Sequence, residues 1–273
     1  MPELIGADVL FRKWAPPSPE APRAVFLLVH GLGAHSARWE FLAGALAEAG
    51  FASYAIELRG FGRTPDRPRG HVDSFRLWDD DILALGDVVG KEHPGARVFL
   101  LGESLGGLVA FNLAALHPEP FAGLVLLAPA FKNAMKFPAS AYAKLALLLL
   151  VRPKLMIDVP FTSEMVTSDP AYLAVMNASP DEVRQASLKL LGGCLPEQSR
   201  AMRKGPGLGV PVLVLLAGRD LLVDTRAARK AFDRVALTDK TLVEYPGMLH
   251  GLSIEAGRDR VFRDIIHWAG ARL

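Results

Sequence analysis

The stretch Val98–Val109, which reads VFLLGESLGGLV, decides the fold around which the rest of the chain is arranged. Its first four residues form an apolar run typical of a buried strand, and residues 108–116 are compatible with a helix. Between them lies GESLG (residues 102–106), a G-x-S-x-G motif whose strand–turn–helix context holds a serine hydroxyl above a sheet edge. The small glycines relieve crowding around such a strained turn. We therefore predict that Ser104 is a nucleophile, provided that an acid and a base follow it.

The composition of the 273-residue chain is that of one large globular domain, or of one such domain with an insertion. The net charge of +2 is too small to indicate a nucleic-acid partner. The single cysteine, Cys194, excludes an internal disulfide framework and fits a reducing compartment. No signal-peptide pattern is found, and the longest aliphatic run, Leu145–Val151, is far shorter than the roughly 20 residues of a membrane span. We expect a soluble, cytoplasmic protein.

Apolar runs alternate with helix-compatible segments along most of the chain, which predicts a mostly parallel, doubly wound α/β sheet. The predicted strands cover residues 7–12, 24–29, 52–57, 98–101, 123–128, 210–217 and 241–245. From Phe131 to about Gly209 this alternation stops. Helices, interrupted by prolines, are predicted there near residues 139–150, 171–176 and 181–191. We interpret residues 131–209 as a helical cap inserted between two parts of the core, residues 1–130 and 210–273.

An acid and a base follow Ser104 at the ends of two later strands, where functional groups gather in an open parallel sheet. Asp220 comes directly after the strand at residues 210–217, and His250 lies in a glycine-containing loop after the last strand. We predict that His250 takes the serine proton and that Asp220 orients the imidazole ring. Asp224 is the alternative acid, but it precedes a predicted helix, which favours an N-cap role for it.

Acyl transfer also needs N–H donors for an oxyanion. Leu105, directly after the nucleophile, offers one amide, and Leu32, in the glycine-rich turn after an apolar strand, offers the second. His30 and His35 flank that turn, but no further ligand with suitable spacing accompanies them, so we predict neither a metal nor a cofactor. Six other histidines are alternatives to His250, and none of them follows a late strand in a glycine-containing loop: His30, His35, His71, His93, His117 and His267.

These motifs resemble those of the α/β-hydrolase superfamily, and more narrowly those of its monoacylglycerol lipase and lysophospholipase group. The residues that carry the resemblance span nearly the whole chain: HGLGAHSARW (30–39), LRGFG (58–62), GESLGG (102–107), SDP (168–170), GRD (218–220) and His250. The resemblance implies an α/β-hydrolase fold and a cap that shapes an acyl-chain tunnel. It also implies a Ser104–Asp220–His250 triad with Leu32 and Leu105 as oxyanion donors.

Substrate contacts are predicted at four positions. The resemblance implies that Arg38 lies near the head-group end of the site. Glu103 stands where the mammalian lipases carry histidine, and Glu103 and Glu164 are the candidate carboxylates with which an aminopeptidase would hold a substrate amine. Leu147 and Leu148 belong to the apolar cap run, which either contacts lipid or packs on the core; both interpretations remain open.

Two segments that contain or adjoin basic residues are candidates for contact with a membrane surface. Lys144 and Arg152 flank the apolar cap run, which favours an interfacial contact of the cap. The loop after residues 52–57 is either an anionic-lipid patch or, as the favoured interpretation, a solvated loop. Its arginines are Arg59, Arg63, Arg67 and Arg69.

The sequence thus predicts a serine hydrolase that cleaves carboxylic esters with one medium or long acyl chain through an acyl-enzyme. Monoacylglycerol is the expected substrate, and lysophospholipid is the first alternative, followed by aromatic or general carboxylic esters. An aminopeptidase and a ligand receptor without turnover are the remaining alternatives. A cytoplasmic enzyme with a peripheral membrane contact fits this prediction.

Overall fold

The computed structural model describes residues 3–5, 9–18, 20–66, 68–135 and 138–273, and its main feature is an eight-stranded sheet. The strands are β1 (Glu3–Ile5), β2 (Val9–Trp14), β3 (Val25–Val29), β4 (Ala52–Glu57), β5 (Val98–Glu103), β6 (Gly123–Leu127), β9 (Val212–Ala217) and β10 (Lys240–Tyr245). Their spatial order is β1-β2-β4-β3-β5-β6-β9-β10, and the six strands from β4 to β10 in this order run parallel. β1 and β2 form an antiparallel edge. The predicted doubly wound sheet is therefore confirmed.

Helices cover both faces of this sheet. They are α1 (Glu40–Glu48), α2 (Arg76–Glu92), α3 (Leu105–Leu116), α8 (Thr225–Arg234) and α9 (Asp259–Gly270). The apolar residues of α1 and α9 pack in one core, and those of α2, α3 and α8 pack in the other. Because both faces are covered, β3, β4, β6 and β9 are buried along their whole length, which explains the uninterrupted apolar sequences of β3, β6 and β9.

Between β6 and β9 the chain leaves the sheet, and we refer to residues 131–209 as the insertion. It contains α4 (Ala139–Val151), α5 (Ser163–Val166), α6 (Pro170–Ala178) and α7 (Leu188–Lys204), with β7 (Met156–Asp158) and β8 (Gln185–Ser187) as an antiparallel pair. α7 also packs on the core helix α3, where the Asn112 side chain donates to the carbonyl and carboxylate of Glu197. The insertion is thus attached to the core along one helix.

Two sequence predictions differ from the observed elements. The helix predicted over residues 181–191 is wrong, because β8 pairs with β7 and α7 starts only at Leu188. There the Ser187 hydroxyl accepts the Leu190 N–H at 3.1 Å and fixes the helix start. The strand predicted over residues 7–12 is observed as Val9–Trp14, and the earlier part of the prediction falls in residues 6–8, outside the described ranges.

Candidate active site

Ser104 occupies a strained turn between β5 and α3. Its φ of 57° and ψ of −119° lie outside the regions that L-residues favour, and only one other non-glycine residue among those described has a positive φ. A Cβ on Gly102 would collide with the Gly106 carbonyl, and a Cβ on Gly106 with the Val29 carbonyl. These glycines therefore permit the close crossing of strand and helix that the motif predicted.

The backbone of Ser104 is held on both sides by the segment that follows β6. The Ser104 N–H donates to the Leu127 carbonyl at 2.9 Å, and the Ala130 N–H donates to the Ser104 carbonyl at 3.0 Å. Between these two contacts lies Ala128, the other described non-glycine residue with a positive φ, at 41°. The two residues with positive φ thus lie on segments that are hydrogen-bonded to each other, and these bonds fix the backbone of Ser104.

Asp220 and His250 form a buried pair at the ends of β9 and β10. His250 Nδ1 donates to Asp220 Oδ2 at 2.7 Å, and the Asp220 side chain is inaccessible to solvent. The other carboxylate oxygen of Asp220 accepts the amides of Leu222 and Val223 at 2.8 and 2.9 Å. The carboxylate therefore has a fixed orientation and keeps the proton on Nδ1, which leaves Nε2 as the basic nitrogen.

Asp224 is the N-cap of a helix, as its position before a predicted helix indicated. Its carboxylate accepts the Arg226 N–H at 3.1 Å and caps α8. Asp220, rather than Asp224, is therefore the acid that contacts His250.

Ser104 and His250 lie on adjoining segments. Both oxygens of Glu103, the residue before Ser104, accept hydrogen bonds from Ser253, three residues after His250. Within the described ranges, no hydrogen bond joins the Ser104 hydroxyl to His250 itself. Free enzymes often complete this contact only when substrate binds.

The amides of Leu32 and Leu105 are available as donors beside Ser104. Leu105 is the first residue of α3, and neither amide has a hydrogen-bond acceptor in the described part of the chain. A Cβ on Gly31 would lie 3.1 Å from the Ser104 Cβ, so the turn that carries Leu32 packs directly on the serine. Two N–H groups near one hydroxyl are the arrangement that stabilises an oxyanion.

His30 orients the turn that carries Leu32. The Leu58 N–H donates to His30 Nε2 at 3.0 Å, so Nδ1 carries the proton of the neutral ring and donates to the Gly31 carbonyl at 2.9 Å. Burial lowers the pKa of His30 to about 4, which keeps the ring neutral. Since the Gly31 carbonyl is fixed, the plane of the Gly31–Leu32 peptide is fixed with it.

Comparisons with known proteins identify the family of this chain. Residues 20–257 match the family described as serine aminopeptidase, S33. The chain belongs to this family. Human monoglyceride lipase is 34% identical over all of this chain and 91% of its own length. Phospholipase YtpA of Bacillus subtilis is 30% identical over 89% of this chain and 94% of its own length.

A solved structure extends the likeness to three dimensions. The crystal structure of the Paleococcus ferrophilus monoacylglycerol lipase has a TM-score of 0.87 with this chain at 26% identity, and it covers 97% of this chain and 99% of the lipase. The predicted α/β-hydrolase fold and the resemblance to the monoacylglycerol lipase group are confirmed. This member of the serine aminopeptidase S33 family is a carboxylic ester hydrolase.

Arg38 of this hydrolase, predicted to lie near the head-group end of the site, is paired within the protein. Its guanidinium forms two hydrogen bonds with Glu182 of the insertion, at 2.9 and 2.6 Å, and both side chains are buried. His35 Nε2 also lies 3.6 Å from the same carboxylate. Sequence reasoning missed Glu182 because no local motif marks a partner 144 residues away.

Glu103, the second predicted substrate contact, is also engaged within the protein. Its side chain is 5% exposed, and its oxygens accept the Ser253 amide at 3.0 Å and the Ser253 hydroxyl at 2.8 Å. Burial raises the pKa of Glu103, and the contacts with Ser253 together with the charges of His250 and Arg38 oppose that rise. Each oxygen of this carboxylate therefore already accepts a hydrogen bond from within the protein. Glu164, the other candidate for that role, is exposed on α5.

Two arginines of the arginine loop contact the insertion, a role that neither predicted interpretation of this loop included. Arg63 pairs with Asp181 at 2.8 Å, and Arg69 donates to the Pro180 and Asp181 carbonyls at 2.9 and 2.7 Å. Arg59 pairs with Asp81 of α2. Arg67 lies outside the described residues. With the Arg38–Glu182 pair, these contacts form one junction between core and insertion.

A second junction joins the insertion to the loop that carries His250. The Gly251 N–H donates to the Val166 carbonyl at 2.8 Å, and the Ser168 N–H donates to Glu255 at 2.8 Å. Arg258 pairs with Asp169 at 2.7 Å. The SDP motif at residues 168–170 therefore packs against the histidine loop, a contact that sequence reasoning missed.

Helix α4 carries the two predicted apolar contact residues. Leu147 is 62% exposed and Leu148 is half-buried, while Leu149 packs on Gly192 of α7. Leu150 is 81% exposed at the end of the helix. α4 therefore packs on α7 with one side only.

In the described part of the chain, no three His, Cys, Asp or Glu side chains come together in a way that could hold a metal ion. Among the helices of the described residues, none combines the length and apolar character that a membrane-spanning helix needs. Burial raises the pKa of the Cys194 thiol to about 12, so this cysteine is not a reactive nucleophile.

Proposed function

We propose that Ser104, His250 and Asp220 form the catalytic triad of this ester hydrolase. His250 Nε2 takes the hydroxyl proton as Ser104 Oγ attacks the ester carbonyl, and then delivers that proton to the leaving alkoxide. Water attacks the resulting acyl-enzyme by the same proton route and releases the fatty acid. The 2.7 Å bond between His250 and Asp220 beside the strained Ser104 is the observation that carries this proposal.

The tetrahedral intermediates place negative charge on the former carbonyl oxygen, and we assign its stabilisation to the amides of Leu32 and Leu105. Both amides are without an acceptor in the described chain, and both belong to segments packed around Ser104. Fixed donors lower the barrier because they need no reorganisation when the charge develops.

We propose single-acyl-chain lipid esters as the substrate class, with monoacylglycerol as the preferred member. The human and Paleococcus relatives are named as lipases of this class. Lysophospholipid is the second candidate, because the similarly related Bacillus subtilis protein is named as a phospholipase. An aminopeptidase is disfavoured because Glu103, a candidate partner for a substrate amine, is buried and bonded to Ser253 through both oxygens.

We further propose that the insertion, residues 131–209, acts as a cap between core segments 1–130 and 210–273, and that α4 contacts a membrane surface from the cytoplasmic side. Leu147, Leu150 and Val151 are exposed apolar side chains on this helix, and Lys144 and Arg152 flank them with positive charge. Apolar residues with basic neighbours are the composition of interfacial helices.

A matched panel of substrates tests the proposed class. It contains p-nitrophenyl esters of increasing chain length, monoacylglycerols, lysophosphatidylcholine and an aminoacyl anilide. We expect the highest kcat/KM on a monoacylglycerol with a medium or long chain. Activity confined to short or aromatic esters would contradict the lipid assignment, and preferred cleavage of the anilide would support a peptidase instead.

A further inference from the structure

We propose that Glu103 is a positioning residue that fixes the histidine loop, residues 250–258, to the turn that carries Ser104. This inference rests on the proposed roles of Ser104 and His250. It assigns to the residue before the nucleophile a task within the same site, in place of the substrate contact that the sequence predicted.

The contact between Glu103 and the loop consists of two hydrogen bonds between buried residues. Ser253 donates to one carboxylate oxygen through its amide at 3.0 Å and to the other through its hydroxyl at 2.8 Å. The Ser253 side chain is 1% exposed and that of Glu103 is 5% exposed. Burying a carboxylate is costly, so a bidentate contact of this kind holds its partner in one geometry.

Among the described residues, the other hydrogen bonds from distant segments to residues 251–258 come from the insertion. They are those of Gly251 with Val166, Ile254 with Thr167, Glu255 with Ser168 and Arg258 with Asp169. Glu103 therefore supplies the core's own hydrogen bonds to this part of the loop. Because Glu103 is bonded directly to Ser104 along the chain, it sets the position of the loop relative to the nucleophile.

Four variants separate positioning from simple packing. Glu103→Gln keeps both contacts, since its carbonyl oxygen accepts the Ser253 N–H and its amide donates to the hydroxyl oxygen. Glu103→Ala removes both, Ser253→Ala removes one, and the double variant removes all of them. Ser53→Ala is the matched control, because it deletes a buried hydroxyl in β4 for which no hydrogen-bond partner is found among the described residues.

The measurements are kcat and KM on a soluble p-nitrophenyl ester, with the thermal midpoint of each variant recorded. Glu103→Ala is expected to lower kcat by about 10²-fold with KM unchanged, because a small displacement of the base removes the near-attack geometry. Ser253→Ala loses about fivefold in kcat, the size of one buried hydrogen bond. The double variant matches Glu103→Ala, since both residues act through one contact. Glu103→Gln and Ser53→Ala stay close to the unchanged protein.

Two results would overturn the positioning role. One is a loss in Glu103→Gln as large as that in Glu103→Ala, which would mean that charge matters rather than the contact. The other is additive losses in the double variant, which would mean that the two residues act independently. If Glu103→Ala does not fold, the other two variants still decide: an unchanged kcat in Ser253→Ala, or a larger loss in Glu103→Gln than in Ser253→Ala, would overturn the positioning role. Activity retained by Ser104→Ala would instead overturn the proposed function itself, and the role of Glu103 with it.

Discussion

At the carboxyl ends of the parallel strands, where Ser104 lies, polar side chains are buried and paired. Helix α4 of the insertion instead presents apolar side chains to solvent. His250 contacts Asp220, and Glu103 contacts Ser253, and all four side chains are buried. On α4, Leu150 is 81% exposed. Burial and hydrogen bonding fix the geometry of these polar pairs. The exposed apolar side chains of α4 are available for contact with a lipid surface.

This difference separates the two parts of the proposed function. Substitutions at the carboxyl ends of the parallel strands should affect the hydrolysis of every ester, because every ester reacts by the same mechanism. Changes on the exposed side of α4 should affect only substrates that reside in vesicles or micelles. Variants in the two regions can therefore be compared on one soluble ester and one aggregated lipid.

The largest effect is expected from Ser104→Ala. Removal of the nucleophile should lower kcat by about 10⁶-fold on soluble and aggregated esters alike. The thermal midpoint should stay nearly unchanged, because the hydroxyl makes no hydrogen bond within the described ranges. Ester hydrolysis above a trace would contradict the assignment of the nucleophile.

Asp220→Asn should have the next largest effect, about 10⁴-fold in kcat, because the amide no longer holds His250 in the productive tautomer. Asp224→Asn is the matched control four residues away, since asparagine also caps a helix and should leave the rate unchanged. Steady-state kinetics on a soluble ester distinguish the two. Equal losses would mean that Asp224 shares the role assigned to Asp220.

The junction between core and insertion should contribute to stability. Glu182→Ala leaves the buried Arg38 guanidinium unpaired, which should lower the free energy of unfolding by about 3 kcal/mol. The double variant Arg38→Met/Glu182→Leu should recover most of that loss, because it removes both charges from the buried site. Urea unfolding measures both values, and an equally unstable double variant would contradict the assigned pairing.

The smallest effect on chemistry is expected from α4. Leu150→Glu should leave activity on a soluble ester unchanged but reduce hydrolysis of monoacylglycerol in anionic vesicles several-fold, since it places a charge on the proposed contact face. Leu116→Glu is the matched control, because Leu116 is 54% exposed at the end of the core helix α3. Equal losses in the two variants would remove α4 from the proposed membrane contact.

The order of elements and the placement of Ser104, Asp220 and His250 at strand ends could be predicted from the sequence, because short motifs and apolar periodicity encode them locally. The choice between Asp220 and Asp224 also followed from a local rule, the preference of aspartate for an N-cap.

The contacts of the insertion could not be predicted in this way. Arg38 meets Glu182 across 144 residues, and Glu103 meets Ser253 across 150, so neither sequence neighbourhood contains its partner. The helix predicted over residues 181–191 is wrong for a related reason, since pairing of β8 with β7 outweighs local propensity there. Tertiary contacts, rather than the local sequence, determine the structure of these segments.

Labelling with a fluorophosphonate, followed by peptide mapping, tests whether one serine forms the acyl-enzyme. We expect one adduct per chain, on the peptide that contains Ser104, and no adduct in Ser104→Ala. Ser36→Ala, which alters a buried serine of the neighbouring turn, should still be labelled. An adduct on another residue, or labelling that persists in Ser104→Ala, would contradict the proposed mechanism.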